Sequence, residues 1–189
     1  MIEPLPASDP CAEDRPAGGD VARPTAAQFA DAYAARVHRF AAMVTRNDQD
    51  SADLAQEALL KALRGLARFQ PGAGTLDAWV WRIVINTARD AGRLRTRRSL
   101  LTDRWFREHH VSGGECSIED EAIHRLRDAE ILEAVRRLPE RPRTIIALRY
   151  GAQLGTGEIA THLRMTPPAV SMATGRALSR LRRQLEEMP

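Results

Sequence analysis

Between Thr25 and about Arg46, Phe29, Tyr33, Val37, Phe40 and Val44 recur at steps of three and four, the stripe of an amphipathic helix. Thr25, directly after Pro24, is its expected N-cap. The polar run Asn47-Asp48-Gln49-Asp50-Ser51 breaks the pattern. A second helix follows to about Leu66, with Leu54, Ala58, Leu59 and Ala62 on its apolar side. So short and polar a connection predicts an antiparallel pair. Phe69-Gln70-Pro71-Gly72-Ala73-Gly74-Thr75 cannot continue a helix, because Pro71 and two glycines interrupt it, and it reads as an exposed loop. A third helix starts near Leu76. It turns Trp79, Ile83 and Ala88 toward a core and spreads Arg82, Asn86, Arg89, Arg93 and Arg97 along another side.

The periodicity dissolves from Ser99 to about Ile118, a linker, and returns at about Glu119 through Ile131, Leu132, Val135 and Leu138. Pro139 and Pro142 punctuate it before a helix holding Ile145, Ile146, Leu148 and Tyr150. After Gly151 and Gly155 come a short helix with Ile159, Ala160 and Leu163, a turn at Arg164-Met165, and a final helix opened by Thr166-Pro167-Pro168. Thr166 suits an N-cap, and prolines in a first turn surrender only N–H groups that lack an intrahelical partner. Val170, Thr174, Ala177, Leu178 and Leu181 form the inward stripe of this last helix. With no strand alternation and no repeat of about 20 to 50 residues, the expected fold class is all-α. A short helix, a tight turn and a second, capped helix outline a helix-turn-helix unit.

Composition narrows the possibilities. A chain of 189 residues holds one medium domain or two small ones, which excludes a large enzyme barrel. Its 43% hydrophobic content is enough to bury a core. Net charge is only +3, but it is unevenly spread, and every basic side chain except Lys61 is arginine. Residues 1–24 set Glu3, Asp9, Glu13, Asp14 and Asp20 against two arginines, among prolines and glycines, and read as a disordered acidic tail. Residues 89–107 hold seven arginines and two aspartates. Such a block suits nucleic acid, an anionic membrane surface or a solvated helix face, and charge alone does not separate the three.

Other chemistry is sparse. Cys11 and Cys116 form no metal-binding pair, and a reduced cytoplasmic protein is the simplest account. The longest apolar stretch, residues 78–85, carries Arg82 and falls far short of the roughly 18 residues of a membrane span. The N-terminus lacks the basic end and apolar core of a signal peptide, so neither a leader nor membrane insertion is expected. His109-His110 with Cys116 matches no metal-site spacing, and the Pro71–Thr75 glycines lack the Gly-Lys-Thr of a phosphate loop. No nucleophile, base and orienter set stands out, so no catalytic residue, metal or cofactor is expected.

Two stretches carry a resemblance. Ser51-Ala52-Asp53-Leu54-Ala55-Gln56-Glu57-Ala58-Leu59-Leu60-Lys61-Ala62 and Leu76-Asp77-Ala78-Trp79-Val80-Trp81-Arg82-Ile83, with Asn86, Asp90 and Arg93, form the first. Leu138-Pro139-Glu140-Arg141-Pro142-Arg143, Leu148-Arg149-Tyr150, Glu158-Ile159-Ala160 and Arg176-Ala177 form the second. In this order and spacing they resemble the bacterial RNA polymerase sigma factors of the extracytoplasmic-function group. The resemblance implies a tail at 1–25, a region 2 bundle at 26–98, a flexible linker at 99–127 and a region 4 helix-turn-helix at 128–187. It also implies an alternative sigma factor that docks on core RNA polymerase, recognises a promoter and helps to melt it.

Residue by residue, the resemblance assigns Asp53, Gln56 and Glu57 to the clamp helices of the beta-prime subunit, and region 4 to the beta flap. Phe69, Gln70, Gly72, Gly74 and Thr75 are expected to capture an unstacked base of the minus-10 element, with Trp81, Arg82, Asn86, Arg89, Arg93 and Arg97 meeting the strand or its phosphates. Trp79 and Trp81 cannot share a helix face, so Trp79 is assigned to the core and Trp81 to the DNA side. Arg164, Thr166, Pro167, Pro168, Ala169, Ser171, Met172, Arg176 and Arg180 are expected at the minus-35 element. The chain departs from the family pattern at Ser171 and Ala173, where Lys or Arg is usual, and at Arg164, where the turn carries Gly. An anti-sigma partner is a further expectation. The alternative reading is a stand-alone helix-turn-helix regulator, and a third is an enzyme using the histidines and a metal.

Overall fold

The computed structural model describes residues 24–70, 74–102 and 119–187, with the side chains of 95–102 and 119–127 outside that description. The acidic tail up to residue 23, Gly72, Trp105, Phe106, His109, His110, both cysteines and the Arg97 side chain therefore lie outside the described residues. Within them every element is helical: α1 Ala26–Val44, α2 Asp48–Leu66, α3 Leu76–Thr102, α4 Glu119–Arg137, α5 Glu140–Ile146, a π-turn Ala147–Gly151, α6 Thr156–Leu163 and α7 Pro167–Glu186.

Capping explains where the first helices begin. Thr25 caps α1 in a reciprocal box, its hydroxyl accepting from the Gln28 N–H at 3.2 Å while the Gln28 side chain accepts from the Thr25 N–H at 2.9 Å. Helix α1 stops at Val44 because Thr45 is extended and its hydroxyl donates to the Ala41 carbonyl at 2.8 Å. The polar run after it is less of a break than the pattern predicts. Asn47 accepts from the Asp50 N–H at 2.8 Å, and α2 has already begun at Asp48. Asp48 and Asp50 thus sit in a first turn, where the helix dipole favours carboxylates.

Helix α1 buries Phe29, Tyr33, Val37, Phe40 and Ala41, and α2 meets it with Leu54, Ala55, Ala58 and Ala62, small side chains that let the two backbones approach. Helix α3 closes the group with Val80, Trp81, Val84 and Ile85. The inward face of α3 is therefore turned from the expected one. Trp81 is fully buried, edge-on to Phe40 at 5.7 Å, whereas Trp79, Ile83 and Ala88 are half-buried at its margin.

The second half packs directly on the first. One core runs from Phe29 through Trp81 to Leu148, Leu154, Ile159 and Val170, with α1 in contact with α4, α5 and the π-turn. A smaller cluster of Val135, Leu138, Ile146 and Ala177 joins α4, α5 and α7, and Met43 of α1 reaches into it. In α7, Val170 and Ala177 are buried and Thr174 and Leu181 half-buried, but Leu178 is 38% exposed, contrary to the predicted stripe.

Gly175 on α7 has nothing within 4 Å of where a Cβ would stand, so its lack of a side chain serves no packing purpose. Gly175→Ala should raise stability by about 0.5–1 kcal/mol, and Phe40→Ala should lower it by about 3–5 kcal/mol. Urea midpoints of both variants check this; a lowered midpoint for Gly175→Ala would contradict the packing described.

Candidate nucleic-acid interface

The first surface begins at the turn into α3. Gly74 has φ +133°, a backbone only glycine adopts without strain, and Thr75 then caps the helix, its hydroxyl accepting from the Ala78 N–H at 3.2 Å. One turn on, the Trp79 ring lies against Gly65, where a Cβ would stand 3.0 Å from the ring carbons. It also tilts against Phe69, with centroids 5.6 Å apart. Arg82, Asn86, Arg89 and Arg93 follow at steps of three and four, all exposed.

A cleft of about 520 Å³ opens here, with Arg68, Phe69, Gln70, Gly74, Thr75, Trp79, Arg82, Asn86 and Arg89 on one side and Arg93 beyond its edge. Thr161, His162 and Arg164 of the other half line the facing side. A partly buried ring beside several guanidinium groups is the combination that stacks a base and holds its phosphates.

Three expectations change here. Trp81 is no part of the surface: its ring is enclosed between Phe40 and the Arg36 guanidinium, 5.3 Å above it. Trp79 takes the place foreseen for it. Phe69, predicted in an exposed loop, is 5% exposed and supports Trp79 from below. The cleft also brings in Arg68, Thr161 and His162, which sequence reasoning missed. Arg68 stands directly before the loop and was legible as a basic neighbour; Thr161 and His162 come from the other half, and nothing local signals them.

The second surface is the exposed side of α7. Thr166 caps it, its hydroxyl accepting from the Ala169 N–H at 3.4 Å, and Pro167 and Pro168 occupy the first turn. Ser171, Met172, Arg176 and Arg180 are exposed, Met172 at 61%, while Ala169 is half-buried. Arg164 ends α6 with φ 54°, a left-handed conformation that costs a non-glycine residue about 1–2 kcal/mol. Its side chain joins the cleft with Arg82 and Arg89 rather than extending the row on α7.

A third surface lies on α2. Asp53, Gln56 and Glu57 are all exposed, Asp53 accepting from the Gln49 amide at 3.1 Å and Glu57 pairing with Lys61 at 2.6 Å. Leu60, 40% exposed, adds an apolar contact that the polar pattern of the helix did not suggest.

An all-helical scaffold with two separate arginine-bearing surfaces, one of them a helix-turn-helix, defines a DNA-binding transcription factor. Comparison with known proteins narrows the class. The model of Sigma-70 region 2 matches residues 29–99, and that of Sigma-70, region 4 matches residues 128–181. The RNA polymerase sigma-H factor of Pseudomonas aeruginosa is 30% identical over 160 residues, 80% of this chain and 82% of that protein. SigV of Bacillus subtilis is 30% identical over 148 residues, 78% and 83% of the two chains. Among solved structures, the sigma factor RpoE from Bartonella quintana, in complex with the anti-sigma factor NepR, shares the fold with a TM-score of 0.65 at 21% identity, over 86% of this chain and 98% of that one. The chain belongs to the RNA polymerase sigma factors, in the extracytoplasmic-function group, and so serves promoter recognition and transcription initiation. No helix among the described residues is long and apolar enough to cross a membrane.

His162 is the titrating group of the cleft. Burial lowers its pKa below the ordinary 6.5, Arg82 and Arg89 act in the same sense, and Glu158 and Asp77 oppose them. The folded chain thus takes up this proton less readily than the unfolded chain. The contribution to stability is complete above pH 6.5 and declines as the pH falls below it. Urea midpoints measured across this window should fall with acidification, and less steeply in His162→Gln; identical slopes in the two proteins would refute the assignment.

Proposed function

We propose a division of labour among the three surfaces. Helix α2 docks on the beta-prime clamp helices of core RNA polymerase through Asp53, Gln56 and Glu57, with Leu60 as apolar contact. The cleft on α3 takes the melted minus-10 strand, Trp79 stacking on a base while Arg82, Asn86, Arg89 and Arg93 follow the backbone. The exposed side of α7, chiefly Met172, Arg176 and Arg180, meets the minus-35 element, and the helices around it face the beta flap. Polymerase performs the bond chemistry, so this chain contributes contacts and no catalytic group. It works in the cytoplasm, where polymerase meets the chromosome, and an anti-sigma factor regulates it.

The observation that carries this reading is the exposed row Arg82, Asn86, Arg89 and Arg93, leading away from a half-buried indole at the mouth of the cleft. Stacking on such a ring contributes about 1–3 kcal/mol per base and tolerates any sequence, so the arginines and Asn86 must set the register. Asp53, Gln56, Glu57 and Leu60 of α2 offer acceptors, an amide and an apolar side chain, which suits a protein partner better than phosphates.

Capture of core polymerase by the purified chain tests the docking surface. Wild type should retain polymerase, and Asp53→Ala combined with Gln56→Ala should weaken retention about tenfold or more while helicity is kept. A well-folded wild type that captures no polymerase would overturn the reading in favour of a stand-alone regulator, whose two-fold footprint would then appear without polymerase.

A further inference from the structure

We infer that α7 selects thymine-bearing steps through an uncharged ridge, Pro168, Met172 and Gly175, and that Gly175 serves close approach to the base edges. The inference rests on the proposed assignment of α7 to the minus-35 element. Pro168, Met172, Gly175 and Ser179 follow one another at steps of four, three and four, which sets them in line along the helix, and all four are exposed. Val170 and Ala177, on the opposite side, are buried. This line is therefore the ridge that would lead into a groove.

What the ridge can read follows from what it carries. In a helix-turn-helix the N-terminal turns of the second helix meet the base edges. Residues 166–175 hold no guanidinium, carboxylate or side-chain amide, the groups that pair with guanine, cytosine and adenine in the major groove. Of their hydroxyls, that of Thr166 caps the helix and that of Thr174 donates to the Val170 carbonyl at 2.9 Å, which leaves Ser171 beside the ridge. Ser179, further along, donates to the Gly175 carbonyl at 3.0 Å. Met172, by contrast, is the most exposed large apolar side chain among the described residues. The apolar group that a base pair presents in the major groove is the thymine C5-methyl. The cations stand to one side, Arg176, Arg180 and Arg183 at steps of four and three, a placement that suits the phosphates flanking a groove.

Gly175 supplies an independent observation. Glycine weakens a helix interior, and with nothing within 4 Å of where its Cβ would stand, no contact inside the chain calls for it. It sits in the middle of the outward ridge. A helix with its side chains is about 10–12 Å across and the major groove about 12 Å wide, so the height of the ridge decides how deeply the helix can settle. A bare Cα one turn beyond Met172 lowers the ridge there. The thioether and the Pro168 ring can then reach neighbouring methyl groups together.

Holoenzyme formed from core polymerase and the full chain tests this. Selection from a randomised duplex library yields the upstream element, in which thymine should recur; an element without recurrent thymine would overturn the inference. Synthetic duplexes then carry uracil for thymine in that element alone, which removes only the methyl group. Replacement at a contacted position should weaken wild-type binding about threefold to fourfold, and Met172→Ala should lose the discrimination. Uracil tolerated by wild type, or discrimination kept by Met172→Ala, would overturn the methyl contact. Gly175→Ala should bind the thymine duplex about threefold to tenfold more weakly although its urea midpoint rises, a split that a merely structural glycine would not produce. Binding as tight as wild type would overturn the close approach. Arg176→Met combined with Arg180→Met reports on the underlying assignment: binding unaffected by that pair would remove the element from α7 altogether, a failure distinct from indifference to the methyl group.

Discussion

Phe40 of α1 is packed from two directions, and the arrangement of the whole chain follows from that. On one side its ring meets the edge of Trp81, which fixes α3 against α1. On the other its backbone is met by Gly151, so closely that no side chain could stand between. The widened π-turn makes this approach possible: Ala152 N–H bonds to the Ala147 carbonyl at 2.9 Å and Leu154 N–H to the Leu148 carbonyl at 3.0 Å. Ala147, Leu148, Gly151 and Ala152 then all lie inward. A regular helix entering from α5 would turn part of that set outward.

Beside this contact one guanidinium gathers several partners. Arg36 lies over the rings of Tyr33 and Trp81 and forks onto Asp77. Burial, with the Asp77 carboxylate beside it, pushes the Tyr33 phenol far above its ordinary range, so it stays protonated and donates to Asp77. Asp77 in turn sits in the first turn of α3, where a carboxylate is favoured by the helix dipole. The residue that orients the cleft-bearing helix is thus tied to the residue that touches the second half.

Much of this was legible in the sequence. The stripe from Phe29 to Phe40, the caps at Thr25 and Thr166, and the turn at Arg164 all follow from local physics, and each is found where the pattern puts it. What failed were choices that depend on a partner. Trp79 and Trp81 are equally apolar and two residues apart; only the position of Phe40 and Gly65 decides which ring is enclosed and which lines the cleft. Phe69 looked like a loop residue because Pro71 follows, yet its ring is held under Trp79. The contribution of His162 to the cleft had no local signature at all, since it arises from contact between halves separated by more than sixty residues of sequence.

The single lysine gives the chain an unusual chemical asymmetry. Lys61 sits on α2 beside Glu57, among the groups proposed to meet polymerase, while the cleft and α7 present only guanidinium groups as permanent cations. Guanidinium does not undergo the acylation that neutralises an amine, so acetyl transfer would leave the charge of both proposed DNA surfaces untouched. Its one side-chain target lies on the face proposed to meet protein. Apart from the terminal amine, an amine-directed dye or cross-linker would likewise mark Lys61 alone, a defined point of attachment for following this chain on and off its proposed partner.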